Sequence, residues 1–452
     1  MKHKGYLILL LLLVASCASR QTATRHRNGY QADIRPELPV NSTLPSENQA
    51  VEREEEVRSA RPLISQVRRA NPGSWQAQKQ QALDALCQSP LFETTQLGLY
   101  VYDLTDGQPL YAVNAAHRMR PASCQKVVTA ITALHYLKDN YQLKTDFRTT
   151  GRARGRILDG DLYVVGGMDP LVTTDELFKA AAALKLKLGI DSIAGSIIYD
   201  LSMREETPMG WGWCWDDNYG PLSALLVDGK DTFDRDWRQA LRQNGIRVSP
   251  PSPWDMGNQA RKNPPTRGEV SGTLIYSLRH NIDEVLEPMM KHSNNIFAEC
   301  LFYQVAASTG KKGGGHKVVA ERTNELLNRI GVSSNQYQIA DGSGLSLYNY
   351  VSAQMLVAML GYAWRTDYIR EHLLPSLPVA GIDGTLGRRM QDTRAQGNVR
   401  AKTGTVTGIS SLAGYITAAN NHILAFAIIN QGISSASVGR SFQDKVCEEL
   451  CR

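Results

Sequence analysis

Apolar positions along this chain change their period several times, and each change marks an element. Around Trp75 the stretch WQAQKQQALDALCQSPLF sets Leu83, Leu86 and Cys87 on one face at helical spacing, so a helix opens the ordered part. From Leu97 the pattern alternates through Leu99 and Val101, breaks at Asp106-Gly107 and resumes at Leu110, Tyr111 and Val113, which predicts a β-hairpin. RPASCQKVVTAITAL follows, where Pro121 and Ser123 start an apolar helix running to about Lys138. At the far end, residues 397–432 read as three strands with turns near Gly408 and at Asn420-Asn421. SFQDKVCEELCR then closes the chain as a helix with Phe442, Val446 and Leu450 on one face and Cys447 at its edge. These two ends predict one sheet built from both termini and covered by a helical middle. An insertion starts at Leu143, with short strand-like runs (DLYVVGG, SIAGSIIYD) and the Trp-rich MGWGWCWDDNYGPLSAL.

The first residues, MKHKGYLILLLLLVASCASR, have a basic start at Lys2 and Lys4, an apolar run from Tyr6 to Val14, and small residues before Cys17. That is an export signal, too short to span a bilayer. VASC resembles a bacterial lipobox, which implies cleavage before Cys17 and lipid attachment to it; an ordinary signal peptide is the alternative. Ala18 follows Cys17, so an acidic inner-membrane retention signal is missing. The expected product is exported, lipid-anchored and in the cell envelope, on the periplasmic face. Residues 17–73, with Pro36, Pro39, Pro45 and acids from Glu52 to Glu56, read as a polar tether.

A formal charge of +6 from 50 Lys+Arg against 44 Asp+Glu, with no basic run interleaved with aromatics, argues against nucleic acid as a partner. Apart from Cys17 there are Cys87, Cys124, Cys214, Cys300, Cys447 and Cys451, none in C-x-x-C spacing or beside a ligand-spaced His, so no metal is expected. Cys87 and the Cys447/Cys451 pair sit on terminal helices that should pack side by side, and a disulfide from Cys87 to one of them is expected.

Ser123 and Lys126 stand three apart, so they share one face of a helix whose first turn has free amides. A serine hydroxyl needs a base, and a lysine whose proton affinity is lowered by burial and a neighbouring cation can serve. Alone, S-x-x-K arises by chance about once in ~250 positions, and a helix cap before a solvated lysine explains it as well. Two further segments change that balance: KHSNNIFAECL carries Ser293 and Asn295 at the head of another apolar helix, and AKTGTV carries Lys402, Thr403, Gly404 and Thr405 on a strand. In this reading Ser293 passes a proton to a leaving nitrogen, Asn295 bonds a substrate amide, Lys402 adds positive charge, and Gly404 leaves room for substrate along the strand.

The ordered set S-x-x-K, S-x-N, K-T-G resembles that of penicillin-binding proteins and serine β-lactamases. With GDLYVVGGMDP, GWCWDD, DGSGLS and LPVAGIDGTLGRRM, the match from about residue 97 to 430 is to the D-alanyl-D-alanine carboxypeptidase/endopeptidase family, the type-4 low-molecular-mass penicillin-binding proteins. The resemblance implies a mixed α+β fold: a β-lactamase-like domain over 74–142 and 270–452, with an antiparallel sheet flanked by helices and an all-helical subdomain, and an inserted domain over 143–269. It implies a serine D,D-peptidase that cuts peptidoglycan stem peptides through an acyl-enzyme on Ser123, is acylated by β-lactam antibiotics and needs no cofactor. The Ser123 and Thr405 amides would form the oxyanion hole, and Lys402, Thr403 and Thr405 would hold the terminal carboxylate. Asp169 either reads the amino end of the substrate's third residue or caps the turn before Pro170.

Two departures stand out. The chain runs from SALLVDGKDTF almost directly into the helical RDWRQALRQNGI, so the insertion is shorter than in larger members. Leu347 follows DGSGLS where a basic residue is common, which leaves the third-residue contact and the choice between carboxypeptidase and endopeptidase open. Cys124 is expected to be a buried packing thiol, GWGWCWDD a core loop, and His292 a surface neighbour. The rivals are a serine β-lactamase, which would need a dedicated deacylating base, and a catalytically silent wall-binding or β-lactam-sensing protein.

Overall fold

Hydrophobic stripes at both ends of the chain need one common partner, and a shared sheet supplies it. The structure is a computed structural model that describes residues 66–138, 140–203, 209–214, 217, 222–248, 272–310 and 315–452. The signal segment, Cys17, most of the tether, Trp215 and Asp216 lie outside the described residues.

The chain first forms α1 (Trp75–Cys87), β1 (Gln96–Asp103), β2 (Gln108–Val113) and α2 (Gln125–Leu137). Then come β3 (Gln142–Thr149), β4 (Arg152–Arg154), β5 (Ile157–Asp159), β6 (Leu162–Val165), α3 (Thr174–Leu188), β7 (Ser192–Ile193), β8 (Ile197–Asp200), α4 (Phe233–Gln243), β9 (Arg247–Val248) and β10 (Thr273–Asn281). Helices α5 (Ile282–Lys291), α6 (Asn295–Ala307), α7 (Gly315–Arg329), α8 (Ala353–Arg365) and α9 (Asp367–Ser376) lead to β11 (Arg400–Val406), β12 (Ile409–Thr417), β13 (Ile423–Gln431) and α10 (Ala436–Leu450).

The main sheet has the order β11-β12-β13-β1-β2, so strands from the two ends pair directly. β1 and β13 are antiparallel, with Leu99 opposite Ile428. One face buries Leu83, Leu99, Ile428, Phe442, Val446 and Cys447 under α1 and α10. The other packs on α8 and, beyond it, on a helical core that includes Ile131, Leu286 and Leu301. The Tyr415 hydroxyl donates to the Leu360 carbonyl at 2.7 Å and ties sheet to helices.

The insertion has its own core around Phe147, Leu177 and Trp237. β10 pairs with β3 along its length, Ser277 opposite Asp146, so the insertion extends to about residue 281 rather than ending at 269. The tether ends earlier than 73: Ala70 N–H donates to Gln80 Oε1 at 3.0 Å and Gln80 Nε2 donates to the Arg68 carbonyl at 2.9 Å, which fastens residues 68–70 to α1.

The expected disulfide is absent. α1 and α10 do meet, with Lys79 donating to Glu449 at 2.8 Å, but the six described cysteines are free thiols. Cys87 meets the Tyr111 hydroxyl instead. Cys447 is fully buried in the sheet-facing core rather than at the helix edge. The Trp-rich loop divides: Trp213 Nε1 donates to Asp341 Oδ2 at 2.9 Å, while Trp211 stays 45% exposed, stacked on His316. It is thus a core loop in part only.

Candidate active site

Ser123 owes its position to the turn before it. Ala122 has φ +47, a left-handed backbone uncommon for a residue with a Cβ, and it forces the chain into a 3-10 turn that runs on into α2. That turn is clamped onto the main sheet. The Ser411 hydroxyl donates to the Pro121 carbonyl at 2.6 Å, and the Cys124 thiol to the Lys402 carbonyl at 3.1 Å. Cys124 is therefore a buried thiol facing away from Ser123, as the 100° step per residue requires. Gly404 completes the clamp: a Cβ there would stand 2.7 Å from the Pro121 carbonyl oxygen and 2.2 Å from Ser411 Oγ. The close approach of the Ser123 turn explains this glycine better than space for substrate does.

Lys126 is completely buried, and its Nζ has three neighbours. It lies 2.9 Å from Ser123 Oγ and donates to Asn295 Oδ1 at 2.6 Å and to the Ser343 carbonyl at 2.8 Å. Burial, and then the charge of Lys402, hold its pKa well below the usual ammonium value; Asp341 and Glu299 oppose that. Lys402, also buried, donates to Ser293 Oγ at 2.9 Å and to the Thr403 carbonyl at 2.7 Å, and burial lowers its pKa to about 8. Ser293 sits at φ +59 just ahead of α6, whose first turn is capped by the Asn294 side chain. The three motifs, far apart in sequence, thus meet in two hydrogen-bonded groups: Ser123, Lys126 and Asn295 in one, Ser293 and Lys402 in the other.

β11 is an edge strand. The Ala401 amide donates outward to the Pro378 carbonyl at 3.0 Å, so the two-residue period sets the Thr403 and Thr405 amides on that same open edge. Thr405 is exposed, and the Thr403 hydroxyl bonds that of Thr385 at 2.8 Å. His292 is exposed, as expected.

Asp169 stands apart from this constellation. Its side chain is closed to solvent and accepts from His280 Nδ1 at 2.7 Å and from the Leu171 amide at 3.0 Å. Of its two expected roles the turn cap fits, because both carboxylate oxygens already have partners. His280 also meets Glu176 at 3.1 Å, and the Asp169 bond raises its pKa to about 9.

Sequence reasoning left out Glu299 and Ser343. Glu299 interrupts an apolar helix four residues after Asn295, on the same face, and that interruption was its signal. Ser343 contributes a backbone carbonyl, for which side-chain chemistry carries no sign.

Residues 79–232 and 221–450 match the D-Ala-D-Ala carboxypeptidase 3 (S13) family. The D-alanyl-D-alanine carboxypeptidase DacB of Haemophilus influenzae is 25% identical over 430 residues, covering 76% of this chain and 87% of that protein. The D-alanyl-D-alanine carboxypeptidase of an Actinomadura species is 25% identical over 461 residues, covering 81% and 83%. In fold, the crystal structure of Haemophilus influenzae penicillin-binding protein 4 superposes with a TM-score of 0.70 at 23% identity, over 82% of this chain and 98% of that one. With that match spanning most of its length, the chain belongs to the D-Ala-D-Ala carboxypeptidase 3 (S13) family.

Proposed function

We propose that Ser123 is the nucleophile of a serine D,D-peptidase that cleaves the terminal D-alanyl-D-alanine linkage of peptidoglycan stem peptides. The hydrogen bonding of Lys126 carries this reading. A neutral amine has two N–H bonds and one lone pair; Asn295 Oδ1 and the Ser343 carbonyl accept the two N–H bonds, which leaves the lone pair for the Ser123 hydroxyl. Lys126 takes that proton as Ser123 Oγ attacks the penultimate D-alanine carbonyl. The Ser123 and Thr405 amides stabilise the oxyanion, and Thr403, Thr405 and Lys402 attract the terminal carboxylate. Lys402 occupies an acceptor site on Ser293 Oγ, so the Ser293 proton is directed to the leaving nitrogen. The bond to the D-alanine nitrogen breaks, and water later releases the acyl group.

A β-lactam presents the same acyl centre with a leaving group that stays attached, so the same serine should trap it; the Haemophilus influenzae relative has been solved in complex with a β-lactam. Glu299, the one acid on α6, is held by the Gly342 and Ser343 amides, so it does not serve as the deacylating base a β-lactamase would need. The lipobox-like VASC supports lipidation at Cys17 and a periplasmic-face location, which labelled palmitate incorporation in wild type but not in Cys17→Ala would establish. For the chemistry, an intact-mass time course of the full-length chain with benzylpenicillin should show one lasting adduct that disappears in Ser123→Ala. Rapid penicillin turnover without an adduct would instead favour a β-lactamase, and neither adduct nor turnover a silent binding protein.

A further inference from the structure

The Lys126 amine points its lone pair at Ser123 only while both of its acceptors stay in place. Asn295 is fixed by α6. The Ser343 carbonyl sits in a loop, residues 341–346, and its position depends on what grips that loop.

Two buried carboxylates do so. Gly344 N–H, in the same rigid peptide plane as the Ser343 carbonyl, donates to Asp341 Oδ1 at 2.7 Å. The two preceding amides go to Glu299: Ser343 N–H donates to Oε1 at 2.8 Å and Gly342 N–H to Oε2 at 3.2 Å. Three consecutive loop amides thus converge on acid side chains, a concavity suited to negative charge. Glu299 is 1% exposed and Asp341 2% exposed. An apolar residue in place of Glu299 would leave two buried donors unpaired, whereas a carboxyl group offers one oxygen to each.

We infer that Glu299 is a positioning residue for the general base: by holding the Gly342 and Ser343 amides it keeps the Ser343 carbonyl on Lys126 Nζ, and so keeps the amine's lone pair on Ser123. The inference rests on the acylation chemistry proposed above. Without that carbonyl the amine can rotate an N–H toward Ser123, and the base is lost while the substrate-binding edge of β11 stays intact. Charge alone acts the other way. The groups facing Lys126 are Lys402 from β11, Glu299 from α6, Asp341 from the loop and Cys124 from its own segment. Glu299 raises the proton affinity of Lys126, but burial and the neighbouring Asp341 raise the pKa of Glu299 itself and so reduce the charge it carries; deleting that charge would leave the base as free or freer. Slower acylation after that deletion therefore reports geometry.

The test is stopped-flow acylation of the full-length chain by benzylpenicillin, resolving the first-order acylation constant k2 from the pre-covalent dissociation constant K, in wild type, Glu299→Gln and Glu299→Asp. Glu299→Gln keeps size but faces one amide donor with its own N–H; Glu299→Asp keeps charge but withdraws by one methylene. In both, k2 is expected to fall by about 10- to 100-fold, the scale of a small misplacement of a reacting group, with K nearly unchanged. Wild-type k2 in either variant overturns the inference, and so does a K weakened as much as k2 is slowed, which would mean general collapse of the site. If Glu299→Gln does not fold, Glu299→Asp decides on the same two constants. A wild-type chain that forms no Ser123 adduct overturns the proposed function itself, and this inference with it; a wild-type adduct with unaltered variants sinks the inference alone.

Discussion

Replacing Asp169 by Asn separates a structural carboxylate from a substrate-reading one. In the structure Asp169 is enclosed and meets His280 Nδ1 at 2.7 Å on β10. The His280 pKa rises from 6.5 to about 9, and at about 1.4 kcal/mol per unit this corresponds to on the order of 3 kcal/mol. A hydrogen bond to a charged group contributes about 1.5–3 kcal/mol, so the two figures are compatible. Because the folded pKa is raised, this stability is fully present below pH 6.5 and is lost as pH rises through about 9. Asp169→Asn should therefore cost about 2–3 kcal/mol at pH 6 and much less at pH 10, measured by guanidinium unfolding of the full-length chain at both values. Acylation constants at pH 7 should change little while the variant is folded. A variant of wild-type stability but with weakened substrate binding would refute the reasoning, as would a stability difference that grows toward pH 10.

Other consequences follow from the same contacts. Lys402→Met removes the charge that helps depress the Lys126 pKa, so the acid limb of the acylation–pH profile should move to higher pH; a limb that stays in place would separate the two lysines electrostatically. In Gly344→Ala the new Cβ would lie 1.9 Å from the Ala122 carbonyl oxygen at φ +84. That change should cost about 3 kcal/mol or more and slow acylation, and a wild-type melting temperature would contradict the packing described. Cys87, Cys124, Cys214, Cys300, Cys447 and Cys451 should all react with a thiol reagent after denaturation without reductant, and a peptide map that changes on reduction would show a disulfide.

Much of the architecture could be read along the chain because it is periodic. The alternation at Leu97–Val113 and after Gly397 announced the five strands of the main sheet, and the apolar run after Ser123 announced α2. Motif spacing likewise singled out Ser123, Lys126, Ser293, Asn295 and Lys402, since each uses a side chain whose chemistry is visible in its identity. The far edge of the insertion carries no local mark because β10 lies beyond a polar stretch, and only its pairing with β3 reveals where it belongs. A disulfide from Cys87 to Cys447 or Cys451 is suggested by helix adjacency, which can be inferred from sequence, whereas the direction of a thiol within a packed layer cannot.

Sequence by itself therefore determined the element order, the sheet joining both termini, the family and the side chains proposed for acyl transfer. Tertiary structure decided which partners each group meets. Asp169, in the loop between β6 and α3, went to His280 on β10 because burying a carboxylate requires a donor. Gly404 was required by the Pro121 turn and not by an open strand, and Lys126 found its second acceptor in a backbone carbonyl. Those facts depend on distances between segments remote along the chain, and no local pattern encodes a distance.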